Sequence, residues 1–139
     1  MAKGQAFLDE PDITTRGEIR HLNVVITEPD DENNVLVVPV CTYREKDGKP
    51  FLGQDLSCIL PAKCHPFVKE KSYICYQKSK TMNLVNIFNG LQKGILVKKD
   101  DFDTRYIQDM QKGAEESPFI PEKFKRFFEY FINSHNDLE

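Results

Sequence analysis

Short apolar runs separated by polar turns fill the chain up to Lys99. HLNVVIT (21–27) and the valine-rich VLVVPVCTY (35–43) are typical of strands, because they are β-branched and too short for stable helices. Three further strands are predicted in LSCIL (56–60), SYICY (72–76) and KGILVKK (93–99). Pro39 has no backbone donor, so the second strand is expected to have an edge, a bulge or a bend there.

Beyond Lys99 the apolar period becomes that of a helix. In DDFDTRYIQDMQKG (100–113), apolar side chains recur at helical spacing, and aspartates precede them while glycine ends the segment. In SPFIPEKFKRFFEYFI (117–132), phenylalanines at i, i+3, i+4 and i+7 predict a second helix that packs on the sheet. TMNLVNIFNGL (81–91) fits either a short helix or an irregular segment.

These patterns predict a mainly β fold with C-terminal helices. We expect a small SH3-like antiparallel barrel, or a strongly bent sheet, of about five strands packed by two helices. The 139 residues suit one domain, with the barrel over 17–99 and the helices over 100–133. The two ends, 1–12 and 133–139, carry no strong pattern and are expected to be frayed.

Composition narrows the function classes. The net charge is −3 and the pI is about 5.7, which disfavours a dedicated non-specific DNA binder. No apolar run is long enough to cross a bilayer, and the N-terminus lacks the apolar stretch of a signal peptide. We therefore predict a cytoplasmic protein without a membrane partner, whose cysteines are reduced thiols.

The four cysteines do not have the spacing of a metal site. Cys58, Cys64 and Cys75 are separated by five and ten residues, Cys41 lies well upstream, and zinc sites need closely spaced pairs. Cysteines inside apolar strands behave as small hydrophobic side chains. The sequence therefore predicts no metal and no cofactor.

A basic segment surrounds the His-Pro-Phe turn. From Lys63 to Lys80 there are five lysines and one glutamate, with Tyr73 and Tyr76 among them. Lysines interleaved with aromatics are typical of single-stranded nucleic-acid surfaces, although a solvated charged turn has the same composition. Thr42 and Arg44, at a strand end, have the chemistry to position a phosphate, and ordinary loop polarity is the alternative.

Three segments in this order resemble a divergent member of the PemK/MazF-like group. They are GEIRHLNVVIT, NVLVVPVCTYR and DLSCILPAKCHPFVKEKSYICY, and the resemblance covers roughly residues 17–80. Members of that group are small SH3-like barrels, and many are toxins of bacterial toxin–antitoxin pairs. Its better-known members are metal-independent endoribonucleases, in which a ribose 2′-OH attacks the adjacent phosphate.

The resemblance implies roles for particular residues. Thr42 matches the strand-end hydroxyl of the family, and His21 or Arg20 falls near its early basic residue. Where the family has a loop arginine, this chain has His65, which then becomes the base or acid, with Arg44 or Lys71 as the cation. The predicted catalytic residues are His65, Thr42 and Arg44, and the predicted RNA-binding residues are His21, Lys63, Lys69, Lys71, Ser72 and Tyr73.

The predicted function is therefore that of a toxin-like endoribonuclease or its descendant, acting on single-stranded RNA. An antitoxin protein and a homodimer are the partners that the resemblance suggests. The alternative is a non-catalytic SH3-like module that binds a protein or nucleic acid, in which His65 and Ser72 order the loop. In a third hypothesis the His-Pro-Phe turn only pins the fold together.

Overall fold

The computed structural model describes residues 3–15 and 17–136. The strands are β1 (Ala6–Leu8), β2 (Asp12–Thr14), β3 (Gly17–Ile19), β4 (Leu22–Val25), β5 (Asn34–Thr42), β6 (Glu45–Lys46), β7 (Lys49–Pro50), β8 (Ile59–Leu60), β9 (Ser72–Ile74), β10 (Lys80–Asn83) and β11 (Val97–Lys99). The helices are α1 (Leu84–Gln92), α2 (Thr104–Glu116) and α3 (Glu122–Asn136), and a 3₁₀ turn covers Tyr76–Lys78.

The main sheet has seven antiparallel strands arranged around β5. Its order is β11-β1-β4-β5-β9-β8, and β10 also pairs with β5. One edge of β5 pairs with β4, and its other edge pairs with β9 near its C-terminal end and with β10 near its N-terminal end. Two small hairpins, β2–β3 and β6–β7, stand apart from this sheet.

Pro39 explains why β5 has two partners on that edge. The carbonyl of Pro39 accepts the N–H of Cys75 at 3.1 Å, but proline has no N–H to return to the carbonyl of Cys75. That carbonyl instead accepts the N–H of Lys78 at 3.0 Å, inside the 3₁₀ turn. The missing donor therefore interrupts the ladder between β9 and β10, as the prediction of a bend at Pro39 requires.

The sheet is covered on both faces. Alternate side chains of β1, β4, β5 and β9 pack against α2 and α3, and this larger core includes Leu36, Tyr76 and Phe128. The intervening side chains of β1, β4 and β5 pack against α1, with Val37 and Ile87 at the contact. Because α1 covers only one end of its face, Cys41 and Tyr73 at the other end are partly exposed.

The predicted fold class is confirmed as an antiparallel sheet combined with helices. Over the described residues the sheet is bent and does not close into a barrel. Each of the five predicted strands overlaps an observed one, and both C-terminal helices form. The ambiguous segment 81–91 falls on β10 and α1, and the N-terminus of α1 is capped by the Asn83 side chain on the N–H of Val85 at 2.9 Å.

The expectation of frayed ends is wrong for the part that is described. Residues 6–8 form β1, a buried strand between β4 and β11, and α3 extends through residue 136. A three-residue strand is too short to show an apolar period in the sequence. The burial of β1 comes from its pairing with strands that are distant in the chain. Residues 1–2 and 137–139 lie outside the described part. No helix among the described residues is long and apolar enough to cross a membrane.

Candidate functional site

An open cleft of about 820 Å³ lies at the end of the sheet that α1 leaves uncovered. Its walls come from the segment between β3 and β4, the C-terminal end of β5, the start of β9, and the loops at 51–54 and 67–70. The side chains that concern recognition are the basic Arg20, His21, Arg44 and Lys69, the hydroxyls of Thr42, Ser72 and Tyr73, and the apolar Ile19, Phe51, Leu52 and Phe67.

At one side of the cleft, the side chain of Gln54 fixes the backbone of Arg44. The amide of Gln54 accepts the N–H of Arg44 at 2.7 Å and donates to its carbonyl at 2.8 Å. The N–H of Phe51 donates to the same carbonyl at 3.0 Å. These bonds close the β6–β7 hairpin, whose Asp47-Gly48 turn has positive φ at both residues, as a two-residue hairpin requires.

The cleft has an excess of cationic side chains. Arg20, Arg44 and Lys69 line it, and Glu70 is the acidic residue among the described lining residues. One guanidinium nitrogen of Arg20, Nη1, is buried and finds no hydrogen-bond partner among the residues that the structure describes. A buried donor without a partner is costly, so an oxygen that reached this nitrogen would stabilise the Arg20 side chain.

Apolar side chains stand exposed beside these cations. Leu52 is fully exposed, Phe51 is 48% exposed and Phe67 is 39% exposed. Tyr73 is partly buried, and burial followed by the nearby thiols of Cys41 and Cys75 raises the pKa of its hydroxyl to about 12. Tyr73 is therefore a neutral hydrogen-bonding group, and the phenylalanines offer ring faces to a ligand.

His65 lies outside this cleft and is only 3% exposed. Its Nδ1 accepts the N–H of Phe67 at 3.0 Å, so its Nε2 carries the proton and donates to the carbonyl of Asp100 at 2.6 Å. The ring also stacks on Phe102 with centroids 4.4 Å apart. Both nitrogens are thus used by the backbone, which is the loop-ordering arrangement and not that of a base facing a phosphate.

The other predicted residues separate into two groups. His21, Thr42, Arg44, Lys69, Ser72 and Tyr73 line one cleft, although the Ser72 hydroxyl is buried and donates to the carbonyl of Glu70 at 2.8 Å. Lys63 and Lys71 do not line it. The ammonium of Lys71 lies 4.3 Å from the centroid of the Tyr43 ring, beside an adjoining pocket.

Sequence reasoning did not name Phe51, Phe67 or Gln54 as site residues, although they lie in the 42–54 and 61–72 loops that the sequence predicts to form the RNA surface. Phe51 and Leu52 follow a turn and precede Gly53, and two large apolar residues in so polar a loop were the available signal. Within the described residues, no group of three or more histidine, cysteine, aspartate or glutamate side chains is placed to hold a metal ion.

No protein-family model matches the chain, and no curated protein or solved structure matches it either. The relation to the PemK/MazF-like group therefore stays a prediction from the sequence. The function of the cleft therefore rests on the chemistry of the residues that line it.

Proposed function

We propose that the cleft binds single-stranded RNA. The observation that carries this proposal is the placement of Arg20, Arg44 and Lys69 beside the exposed rings of Phe51 and Phe67 in one open cleft. A basic groove with aromatic faces is the combination by which proteins hold single strands, since phosphates meet the cations and bases stack on the rings.

The local charge supports an anionic ligand although the whole chain is acidic. The net charge of −3 belongs to the entire sequence, whereas three cations and one glutamate line the cleft. Guanidinium groups bind phosphate oxygens through two parallel hydrogen bonds, and both Arg20 and Arg44 line the cleft. Contacts to two or three phosphates would follow from this set.

The size of the cleft favours a single strand over a duplex, and its hydroxyl groups favour RNA. About 820 Å³ accommodates a ligand of one or two nucleotides and not a helix. Unpaired bases can turn outward and stack on side chains, which paired bases cannot do. The exposed Thr42 hydroxyl at the end of β5 is a donor and acceptor that suits a ribose 2′-OH.

The test is a binding titration by fluorescence anisotropy, with a labelled mixed-sequence RNA of about ten nucleotides. Arg20→Gln and Arg44→Gln are each expected to weaken binding about tenfold or more, because each removes a charge-assisted hydrogen bond. The logarithm of affinity should fall with the logarithm of salt with a slope of about −2, from three cations at about −0.7 each. Lys112→Gln, on the exposed side of α2, is the matched control and should bind as wild type does. Equal affinity of Arg20→Gln, Arg44→Gln and Lys112→Gln would refute the proposal.

Cleavage of the bound RNA is a second candidate, favoured by the position of His21. His21, Thr42 and two arginines line the same cleft, which are the residue types that 2′-OH attack requires. The imidazole of His21 would take the proton of the hydroxyl, and the guanidinium groups would stabilise the charge that develops on the phosphate. Incubation with RNA in the presence of a chelator should then yield 2′,3′-cyclic phosphate ends.

The variants separate cleavage from binding. His21→Ala should abolish cleavage and retain most of the RNA affinity if His21 is the base. His65→Asn should cleave at the wild-type rate after correction for the folded fraction. If wild-type protein binds RNA tightly but does not cut it, the binding proposal is supported and the catalytic one is excluded.

A further inference from the structure

Cys41 and Cys75 lie on the same face of two paired strands. Cys41, in β5, is directly opposite Tyr73 in β9, and Cys75 is two residues further along the β9 chain. The N–H of Cys75 donates to the carbonyl of Pro39, so Cys75 continues the ladder opposite Pro39. Side chains two residues apart in an antiparallel pair share a face, which makes the two cysteines diagonal neighbours.

The register brings the two thiols to one face of the sheet, and both side chains are only partly buried. Cys41 also lines the cleft, so a small molecule in the cleft can reach it. The other two cysteines do not line the cleft, and Cys58 is only 4% exposed in the core.

The surroundings favour Cys75 as the thiolate of the pair. Interaction with the Cys41 thiol lowers the pKa of Cys75 against partial burial, and the backbone and ammonium of Lys78 lower it further while Asp55 opposes them. The same interaction, together with burial, raises the pKa of Cys41. Tyr73 neighbours Cys41 and has its own pKa raised. Thiolates are the nucleophiles of thiol chemistry, so Cys75 attacks first.

We propose that Cys41 and Cys75 form a reversible dithiol–disulfide site that reacts with small-molecule disulfides of the glutathione class. The Cys75 thiolate attacks one sulfur of the disulfide RSSR, which breaks the S–S bond, releases RS⁻ and leaves a mixed disulfide on Cys75. Cys41 then loses its proton to solvent and attacks the Cys75 sulfur, releasing the second RS⁻. The two protein thiols are oxidised to one disulfide, and RSSR is reduced to two RSH after protonation.

The sheet geometry makes this disulfide easy to reverse. Diagonal positions of an antiparallel pair are farther apart than directly opposite ones, and an unstrained disulfide needs its two Cα atoms within about 7 Å. Closing the bond therefore requires β9 to slide along β5 at the floor of the cleft. Strained and exposed disulfides are the ones that cellular thiols reduce most readily.

Peptide mapping of the full chain after treatment with oxidised glutathione tests the site. Trypsin separates Cys41 and Cys75, because it cuts after Arg20, Arg44, Lys71 and Lys78. We expect one linked species that joins peptides 21–44 and 72–78, and that reduced glutathione separates again. Cys64→Ser is the matched control and should retain this link. A link to Cys58 or Cys64 instead, or a folded protein without any link, would overturn the proposal.

The order of attack has its own measurement. Cys41→Ser keeps a hydrogen-bond donor beside Cys75 and should accumulate the mixed disulfide at position 75 quickly, because no second thiol resolves it. Cys75→Ser leaves Cys41 with burial as the remaining cause that raises its pKa, and without the Lys78 backbone contact that favours a thiolate at position 75, so glutathione addition at Cys41 should be slower at pH 7 than addition at Cys75 in Cys41→Ser. Equal rates in these two variants would contradict the assignment of Cys75 as the attacking group. Neither experiment involves RNA, so both stand or fall separately from the RNA-binding proposal.

Discussion

The imidazole of His65 stacks on the ring of Phe102, and the pair joins the loop before β9 to the segment that leads into α2. The ring planes are 24° apart, and the histidine nitrogens bond to Phe67 on one side and Asp100 on the other. A side chain that satisfies one backbone group in its own loop and another 35 residues away fixes how the two segments meet. His65 therefore acts on the architecture around the cleft.

His65→Ala is expected to lower the free energy of unfolding by about 2–4 kcal/mol. It leaves the N–H of Phe67 and the carbonyl of Asp100 without their partner and removes the aromatic contact. Urea denaturation measures this loss. His21→Ala, at a partly exposed position in the cleft, should cost less than about 1 kcal/mol. A stable His65→Ala protein that has lost RNA binding would contradict this structural role.

The contrast between His65 and His21 shows which features of the site could be predicted from the sequence. The pattern around His65 located a turn between two strands, which the structure confirms. It could not show that the ring faces Asp100 and Phe102, because that contact depends on how α2 approaches the sheet. His21 entered only through resemblance, since one histidine at the start of an apolar run gives no signal of a cleft.

The same division applies to the elements. Both β5 and α3 can be recognised from the sequence. The valine run is long and β-branched, and the phenylalanines of α3 keep helical spacing over two turns. The three-residue β1 and two-residue β6 and β7 have no period to detect. Their existence depends on pairing partners, and the residues that flank the β6–β7 hairpin, Arg44 and Phe51, line the cleft. The elements around the cleft were therefore harder to predict from the sequence than those of the hydrophobic core.

Glu70→Gln is expected to tighten RNA binding about two- to fivefold at low salt. The side chain lines the cleft and is exposed, and removing its charge lessens repulsion of phosphate without changing its size. The anisotropy titration gives the ratio, which should approach one as salt is raised. Glu115→Gln, on the exposed surface of α2, has the same charge change and should not alter the affinity. Equal effects of the two substitutions would mean that only net charge matters.

Gly113 and Tyr76 are expected to be strongly coupled. The Tyr76 hydroxyl donates to the carbonyl of Met110 at 2.6 Å, and a Cβ on Gly113 would overlap the hydroxyl oxygen of Tyr76. Gly113→Ala should cost about 1–3 kcal/mol through overpacking. Tyr76→Phe removes the obstructing oxygen and one buried hydrogen bond, at a cost of about 1–2 kcal/mol.

The double variant should therefore lose less stability than the sum of the two single variants, by about 0.5–3 kcal/mol in a urea-denaturation cycle. Gly90→Ala provides the control, because Gly90 lies in α1 on the other side of the sheet and contacts Leu96. Its effect should add to that of Tyr76→Phe. An additive result for Gly113 would show that α2 moves to admit the methyl group.

Stability should fall as the pH rises from about 9 to about 12. Burial raises the pKa of Cys58 from its ordinary value of 9.0 to about 12 in the folded protein. Above pH 9 the unfolded chain loses this proton while the folded chain keeps it, so unfolding is favoured progressively across that interval. Burial also raises the pKa of Tyr76, which adds to the loss above pH 10. Cys58→Ala should show a shallower decline in the urea midpoint, and a decline identical to wild type would exclude Cys58 as its source.

The proline at the centre of β5 has a mechanical consequence. Because no hydrogen bond runs from Pro39 to the carbonyl of Cys75, β9 and β10 share a neighbour but not a continuous ladder. We therefore expect β9, at the floor of the cleft, to shift without moving β10 or α1 when a ligand enters or a sulfur–sulfur bond closes. The missing N–H of Pro39 would in this way separate a mobile part of the sheet from a fixed part.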